Sequence, residues 1–343
     1  MSTIKDVAAL AGVSVGTVSN FINETKGISP TTTRRIKAAI DELGFVPNRA
    51  VRTLRGERTR VIGFVVPDAT NPFFTELGRH VEDVARTNGC VVVFCDTVGD
   101  DDREQMYLRR LAEMRVSGVI LSSTDPGTSD LASLQAVRAP IVLLGDDKPA
   151  LDVSSITLDY QRAGYLAMSH LLSIGRRDII FAGGPGGGRI LEARYQGAQD
   201  ALREHADAAT VTLRRFDAVG RTVRERAALA DRILRTDSRP DGLICGNDMI
   251  ALTILNTLLR AGVRVPADIA IVGHDDIEAA QQAVIPLTTI RQPIRDLGRL
   301  AAELLFKAAD EPGEAAHIMF DPELVVREST VASSRSASFW REP

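Results

Sequence analysis

Four groups of polar and aromatic residues stand directly behind apolar runs in this 343-residue chain. They are 68–74, with Asp68, Phe73 and Phe74; 183–194, ending on Arg194; Asn247-Asp248; and His274-Asp275-Asp276. Carboxylates, amides, a guanidinium and phenyl rings hold a small polar molecule by hydrogen bonds and stacking. They do not form a catalytic pattern. The glycine-rich run 183–188 (GGPGGG) has no GxGxxG register and no Lys-Ser/Thr to complete a phosphate loop. The five histidines show no metal spacing, and no serine sits in a GxSxG elbow. Catalysis, a metal and a cofactor are therefore not expected. Cys90, Cys95 and Cys245 lack zinc spacing, and the apolar residues around them read as burying plain thiols.

A different chemistry occupies the first 60 residues. Ile4, Val7, Ala8 and Ala11 recur at helical spacing, and Val15, Val18 and Ile22 repeat the pattern after Gly12. Thr3 with Asp6 is set to cap the first helix, and Ser14 stands ahead of the second. Two helices of about two turns each do not persist alone, so a third must complete their core. It follows with Ser29 as cap, Pro30 at the first helical position, Ile36, Ile40 and Leu43 on one face, and Gly44 as the stop. This is a helix-turn-helix whose second helix would lie in the DNA major groove. Charge agrees: residues 1–60 hold ten Lys/Arg against five Asp/Glu, a net of +5, while the remainder carries 31 against 40, a net of −9. A basic arm on an acidic body touches phosphates with one end only.

The stretch 47–56 carries three arginines, 49, 52 and 55, around Leu54. About eight residues are too few for an isolated helix, so DNA is expected to organise it. From residue 60 the pattern becomes apolar strands alternating with amphipathic helices. Strands are expected at 61–66, 91–95, 118–121, 141–144, 179–182, 243–245 and 269–272. Helices are expected near 72–88, 102–115, 161–174, 190–204, 220–235 and 248–261. That alternation gives parallel sheets covered on both faces, and about 270 residues suit two lobes better than one. Ligands in such sheets sit beyond the carboxyl ends of the strands, where the polar groups collect. No apolar run is long enough to cross a bilayer, and the start lacks a signal peptide's apolar core, so the expected location is the cytoplasm.

These residues resemble the lactose-repressor/galactose-repressor (LacI/GalR) family of bacterial transcriptional regulators. The resemblance runs from Thr3 to about Thr330. It is carried by Thr3-Ile4-Lys5-Asp6-Val7-Ala8, Thr17-Val18-Ser19 with Asn23, Gly44-Phe45-Val46-Pro47-Asn48, Asn71-Pro72-Phe73-Phe74, Arg194-Tyr195-Gln196-Gly197, Gly273-His274-Asp275-Asp276 and Leu324-Val325-Val326-Arg327-Glu328-Ser329. It implies an all-α helix-turn-helix head at 1–46, a hinge helix at 47–59, and an α/β core at 60–331 of two doubly wound parallel-sheet lobes like periplasmic sugar-binding proteins. A tail follows at 332–343. One lobe would take about 60–160 and 291–320, the other about 161–290 and 321–331, with crossings near 160, 290 and 320. It further implies a homodimer on palindromic double-stranded operator DNA, each head reading one half-site. The tail has no leucine heptad, so a dimer is expected and not a tetramer.

By the same resemblance, Val15, Gly16 and Asn20 take the base-reading positions, while Ser14, Thr17 and Asn23 hold phosphates. Arg52 belongs to the hinge, and Leu54 is the lever wedged into the minor groove at the operator centre. The family usually has alanine just before that arginine, and this chain has Val51. In the core, Arg194 matches the effector anchor, Asn247 and Asp275 face it, and Phe73 and Phe74 are placed to stack on a ligand. A sugar or sugar derivative is the expected effector. Two departures qualify that expectation: His274 replaces a common aromatic, and Gly145 replaces a pocket carboxylate that Asp146 or Asp147 could supply. A purine or other small metabolite stays open, as does a protein coregulator in place of a small molecule. Repression is the commoner outcome of occupying a promoter.

Overall fold

The computed structural model describes residues 2–23, 27–46, 58–122, 131–145, 151–184, 188–310 and 313–331. The chain divides into two compact units, Met1–Arg58 and Thr59–Pro343. The first holds helices α1 (Ile4–Ala11), α2 (Val15–Asn23) and α3 (Pro30–Leu43). Thr3 and Asp6 form a reciprocal capping box, and Gly12 closes α1 at φ 61°, in the left-handed region that glycine reaches without strain. Ser29 caps α3 through Thr32 N, and Gly44 ends it. Val7, Ala8, Ala11, Val18, Ile36 and Ala39 form the buried core, with Ile22, Ile40 and Leu43 packed against it. A core this small leaves the unit only marginally stable on its own.

The second unit contains two lobes. In chain order its elements are β1 (Val61–Val66), α4 (Pro72–Thr87), β2 (Val91–Asp96), α5 (Asp101–Glu113), β3 (Gly118–Leu121), α6 (Ala132–Ala136), β4 (Ile141–Leu144) and β5 (Ser154–Leu158). There follow α7 (Tyr160–Ser173), β6 (Asp178–Gly183), α8 (Gly188–Glu204), β7 (Thr212–Asp217), α9 (Val223–Leu234), β8 (Gly242–Cys245), α10 (Asp248–Arg260), β9 (Ala270–Asp275), α11 (Glu278–Gln281) and β10 (Thr288–Arg291). The last elements are α12 (Ile294–Asp310), β11 (His317–Phe320) and β12 (Glu323–Val325).

The first sheet runs β11-β5-β4-β3-β1-β2, and the second β12-β10-β9-β8-β6-β7. Every pairing is parallel except β10 with β12. The central strands are apolar and buried because helices cover both faces, which is the reason for their unbroken Val/Ile/Leu runs. In each sheet the winding reverses beside its first strand, between β1 and β3 and between β6 and β8. Crevices open at the carboxyl ends of such switch points. The chain passes between sheets after β5, after β10 and between β11 and β12. Strands β5, β7, β10, β11 and β12 and helix α12 join the elements that the sequence pattern marks. Cys95 and Cys245 are buried, whereas Cys90 is only half-buried, against the expectation of three buried thiols.

Candidate functional site

The head presents α2 on its surface. Ser14 caps it, its Oγ accepting from Thr17 N at 3.1 Å and lying 2.9 Å from Thr17 Oγ1. These two hydroxyls therefore fix the start of the helix before they meet any phosphate. Val15 is exposed on the same helix. Gly16 is exposed as well, and a Cβ there would meet only Ser14 Oγ, at 3.7 Å. Nothing in the head's own packing requires a glycine at that position. Asn20 is half-buried on the same helix. Asn23 ends α2; Arg52, Leu54, Asp146 and Asp147 lie outside the described residues.

In the second unit a cavity of about 150 Å³ lies between the lobes, at the carboxyl ends of the strands. The first lobe lines it with Phe73, Phe74, Leu77, Leu144 and Ile156; Tyr160, Arg194, Asn247 and Asp275 line it from the other side. Phe73 and Phe74 enter because Asn71 caps α4, its Oδ1 accepting from Phe73 N, which sets the helix's first turn at the cleft. Their rings meet edge to face with centroids 5.0 Å apart.

Asp275 ends β9 at φ 121°, followed by Asp276 at φ 58°. Two consecutive non-glycine residues in the positive-φ region cost about 1–3 kcal/mol each. Asp276 is held there by Arg291 at 2.7 Å and Arg327 at 2.6 Å. The turn so fixed brings the Asp275 carboxylate into the cleft, where Gln292 donates to Oδ1 at 2.8 Å and Asn71 donates to Oδ2 at 3.3 Å. The Asn71 bond joins the two lobes. Burial pushes the Asp275 carboxyl up to about 6, while the nearby Arg194 charge and these two amides oppose the rise.

Arg194 donates to Gly246 O at 2.6 Å and lies 4.9 Å over the Tyr160 ring. Its Nε is buried with no partner among the described residues, so the guanidinium keeps donor capacity at the cavity wall. Asn247 caps α10 through Ile250 N at 2.9 Å. Among the described residues its Nδ2 has no bond. Behind it, Asp248 is fully buried, accepting from Thr289 Oγ1 at 2.6 Å and Ile277 N at 3.0 Å. Burial, then the Asp275 charge, holds the Asp248 carboxyl well above its ordinary range. His274 is buried with Nε2 unpartnered among the described residues, and burial followed by the Arg194 charge pushes it well below its ordinary value. It stands 6.3 Å from the Tyr160 ring and does not line the cavity. Gly145 does line it, at φ 88°.

All five residues expected at the effector site thus gather around one cavity. Sequence reasoning missed Asn71, Tyr160, Arg221 and Gln292 as wall residues. Asn71 carries a visible signal as the N-cap before Pro72. The other three follow β5, β7 and β10, strands too polar or too short to announce themselves.

A three-helix head with an exposed second helix, joined to a core of two parallel-sheet lobes around a polar cavity, defines a DNA-binding transcription regulator. Residues 3–48 match the profile of bacterial regulatory proteins of the lacI family, and residues 168–330 match a periplasmic binding protein-like domain. The chain is 36% identical over 338 residues to the HTH-type transcriptional repressor PurR of Aliivibrio fischeri (strain MJ11), covering 96% of this chain and 99% of that protein. It is 30% identical to the transcriptional regulator CelR in its cellobiose complex, with TM-score 0.68, covering 96% of this chain and all of that one. It is 25% identical to the lac repressor dimer bound to operator and the anti-inducer ONPF, with TM-score 0.80, covering 96% and 99% of the two chains. The chain belongs to the LacI family of transcription regulators and is not an enzyme. Among the described residues no helix is long and apolar enough to cross a membrane.

Proposed function

We propose that this regulator is a repressor that binds a palindromic operator as a homodimer, with an affinity set by a small sugar-like effector between the lobes of its core. The observation that carries the effector is the wall chemistry of the cavity. Arg194, Asn247 and Asp275 offer donors and acceptors with unused capacity, opposite the Phe73 and Phe74 rings. A polyol has hydroxyl edges for the first set and C–H faces for the second. The cellobiose held by CelR supports this class of ligand.

In the head, Val15, Gly16 and Asn20 read base edges, Asn20 by pairing with adenine and Val15 by touching a thymine methyl. Ser14, Thr17 and Asn23 set register on phosphates. Arg52 and Leu54 act in the minor groove, Leu54 as a wedge that unstacks a central pyrimidine–purine step. Exposed Val91 and Phe94 on the edge strand β2 give a copy of the chain an apolar surface to cover. Effector binding changes lobe closure, and by linkage DNA changes effector affinity by the same factor.

Selection of duplexes from a random pool at moderate salt, without metabolite, tests this. Enrichment of a palindrome with a central CG step is expected. Enriched sites without two-fold symmetry would refute the homodimer reading.

A further inference from the structure

We propose that the effector carries a negative charge, a carboxylate or a phosphoester, and that Arg221 is the residue that recognises it. This deepens the small-molecule reading of the cleft and rests on it. Arg221 lines the cavity from the carboxyl end of β7, one residue before Thr222 caps α9. Its guanidinium occupies the space a Cβ on Gly99 would fill, so a side chain of the second lobe reaches the turn after β2 in the first. Gly99, at φ 68°, leaves the room for it. Among the described residues no carboxylate pairs with that guanidinium.

The acids lining the cavity bond to groups other than Arg221. Asp275 accepts from Asn71 and Gln292 and lies near Arg194. Asp68 accepts from Thr70 N at 2.9 Å and Thr70 Oγ1 at 2.5 Å. Its charge also favours that of Arg226. Arg226 is buried, donates to Arg221 O at 2.7 Å, and so props the backbone that carries Arg221. Its Nε finds no partner among the described residues. Two guanidinium groups, those of Arg194 and Arg221, and two carboxylates, those of Asp68 and Asp275, line this cleft, and neither carboxylate pairs with Arg221. The balance turns positive because α4, α8 and α10 all begin at the cavity, through Phe73, Ile190 and Ile250, with their partly positive ends inward. An uncharged sugar leaves the Arg221 guanidinium without a counter-charge. An anionic group on it completes the fork of Arg221 and ties the lobes together.

The test uses the full chain in thermal-shift and calorimetric titrations, at constant ionic strength so that general screening does not contribute. The probes are inorganic phosphate, D-ribose, D-ribose 5-phosphate, D-glucose and D-gluconate, against wild type, Arg221→Gln and Arg221→Lys. Wild type is expected to be saturably stabilised by inorganic phosphate and to bind an anionic probe at least about tenfold tighter than its neutral counterpart. Arg221→Gln removes about tenfold to a hundredfold of the anion affinity, costs the neutral sugars at least about tenfold less than that, and is partly rescued by Arg221→Lys. Preference for ribose 5-phosphate assigns a phosphoester; preference for gluconate assigns a carboxylate. An unchanged phosphate response in Arg221→Gln, or no phosphate response in wild type, overturns the inference. Neutral-sugar binding that persists in either case leaves the sugar-effector reading standing; only its loss as well removes both.

Discussion

Replacing Gly164 by alanine tests how Arg194 is held. Helices α7 and α8 touch backbone to backbone through two glycines. A Cβ on Gly164 would overlap the Arg194 carbonyl oxygen and lie 2.6 Å from its carbon and 2.9 Å from its Cα. A Cβ on Gly197 would meet Gln161 in the same way, 2.7 Å from its carbonyl carbon and 2.9 Å from Tyr165 N. Ordinary carbon–carbon contact needs about 3.5–4.0 Å, so Gly164→Ala must part the helices by about 1 Å. Such overpacking costs about 1–3 kcal/mol, while alanine's helix propensity returns up to about 1 kcal/mol. The net loss of about 1–2 kcal/mol corresponds to a fall in Tm of about 2–4 °C per kcal/mol for a chain of this size. The same displacement breaks the 2.6 Å bond from Arg194 to Gly246 O and moves the guanidinium off the cavity wall. Scanning calorimetry of the full chain, with titration of D-ribose and D-ribose 5-phosphate as the functional readout, measures both effects. A variant as stable as wild type, binding these probes equally well, would refute the claim that this close approach positions Arg194.

Gly16→Ala applies the same substitution where the site is open, so head stability should rise by up to about 1 kcal/mol while operator affinity falls; unchanged affinity in a gel-shift titration would remove Gly16 from the interface. The Asp275 carboxyl stands near 6, above its unfolded value of about 4, so the folded protein binds the extra proton between those values and stability falls as pH rises through that window. Asp275→Asn should abolish about 1 kcal/mol of the stability that wild type gains between pH 7 and pH 5; identical pH profiles in denaturant melts would contradict the assignment. Leu54→Ala should weaken operator binding and leave the core's thermal transition unchanged, and equal affinity would sink the wedge. Sedimentation equilibrium should give a dimer, and a tetramer would overturn the reading of the tail.

What the sequence settled by itself is local and periodic. Caps at Thr3 and Ser29, stops at Gly12 and Gly44, and helical spacing in the head follow from backbone hydrogen bonding within a few residues. The buried central strands announced themselves because both of their faces must be apolar. Phe73, Arg194, Asn247 and Asp275 were legible as the residues just beyond such strands or on motifs beside them. The short or polar strands were not: β7, with sequence TLRRFD, lies at a sheet edge with only one flank paired and reads as polar chain. With β5, β7 and β10 hidden, Tyr160, Arg221 and Gln292 could not be placed at strand ends. Only the tertiary structure decided that Asn71 donates to Asp275 from 204 residues away, that Arg221 reaches Gly99 across the lobes, and that glycines 164 and 197 set the depth of Arg194. Those relations depend on how two separately wound sheets close on each other, and no local propensity encodes a distance between residues that far apart in the chain.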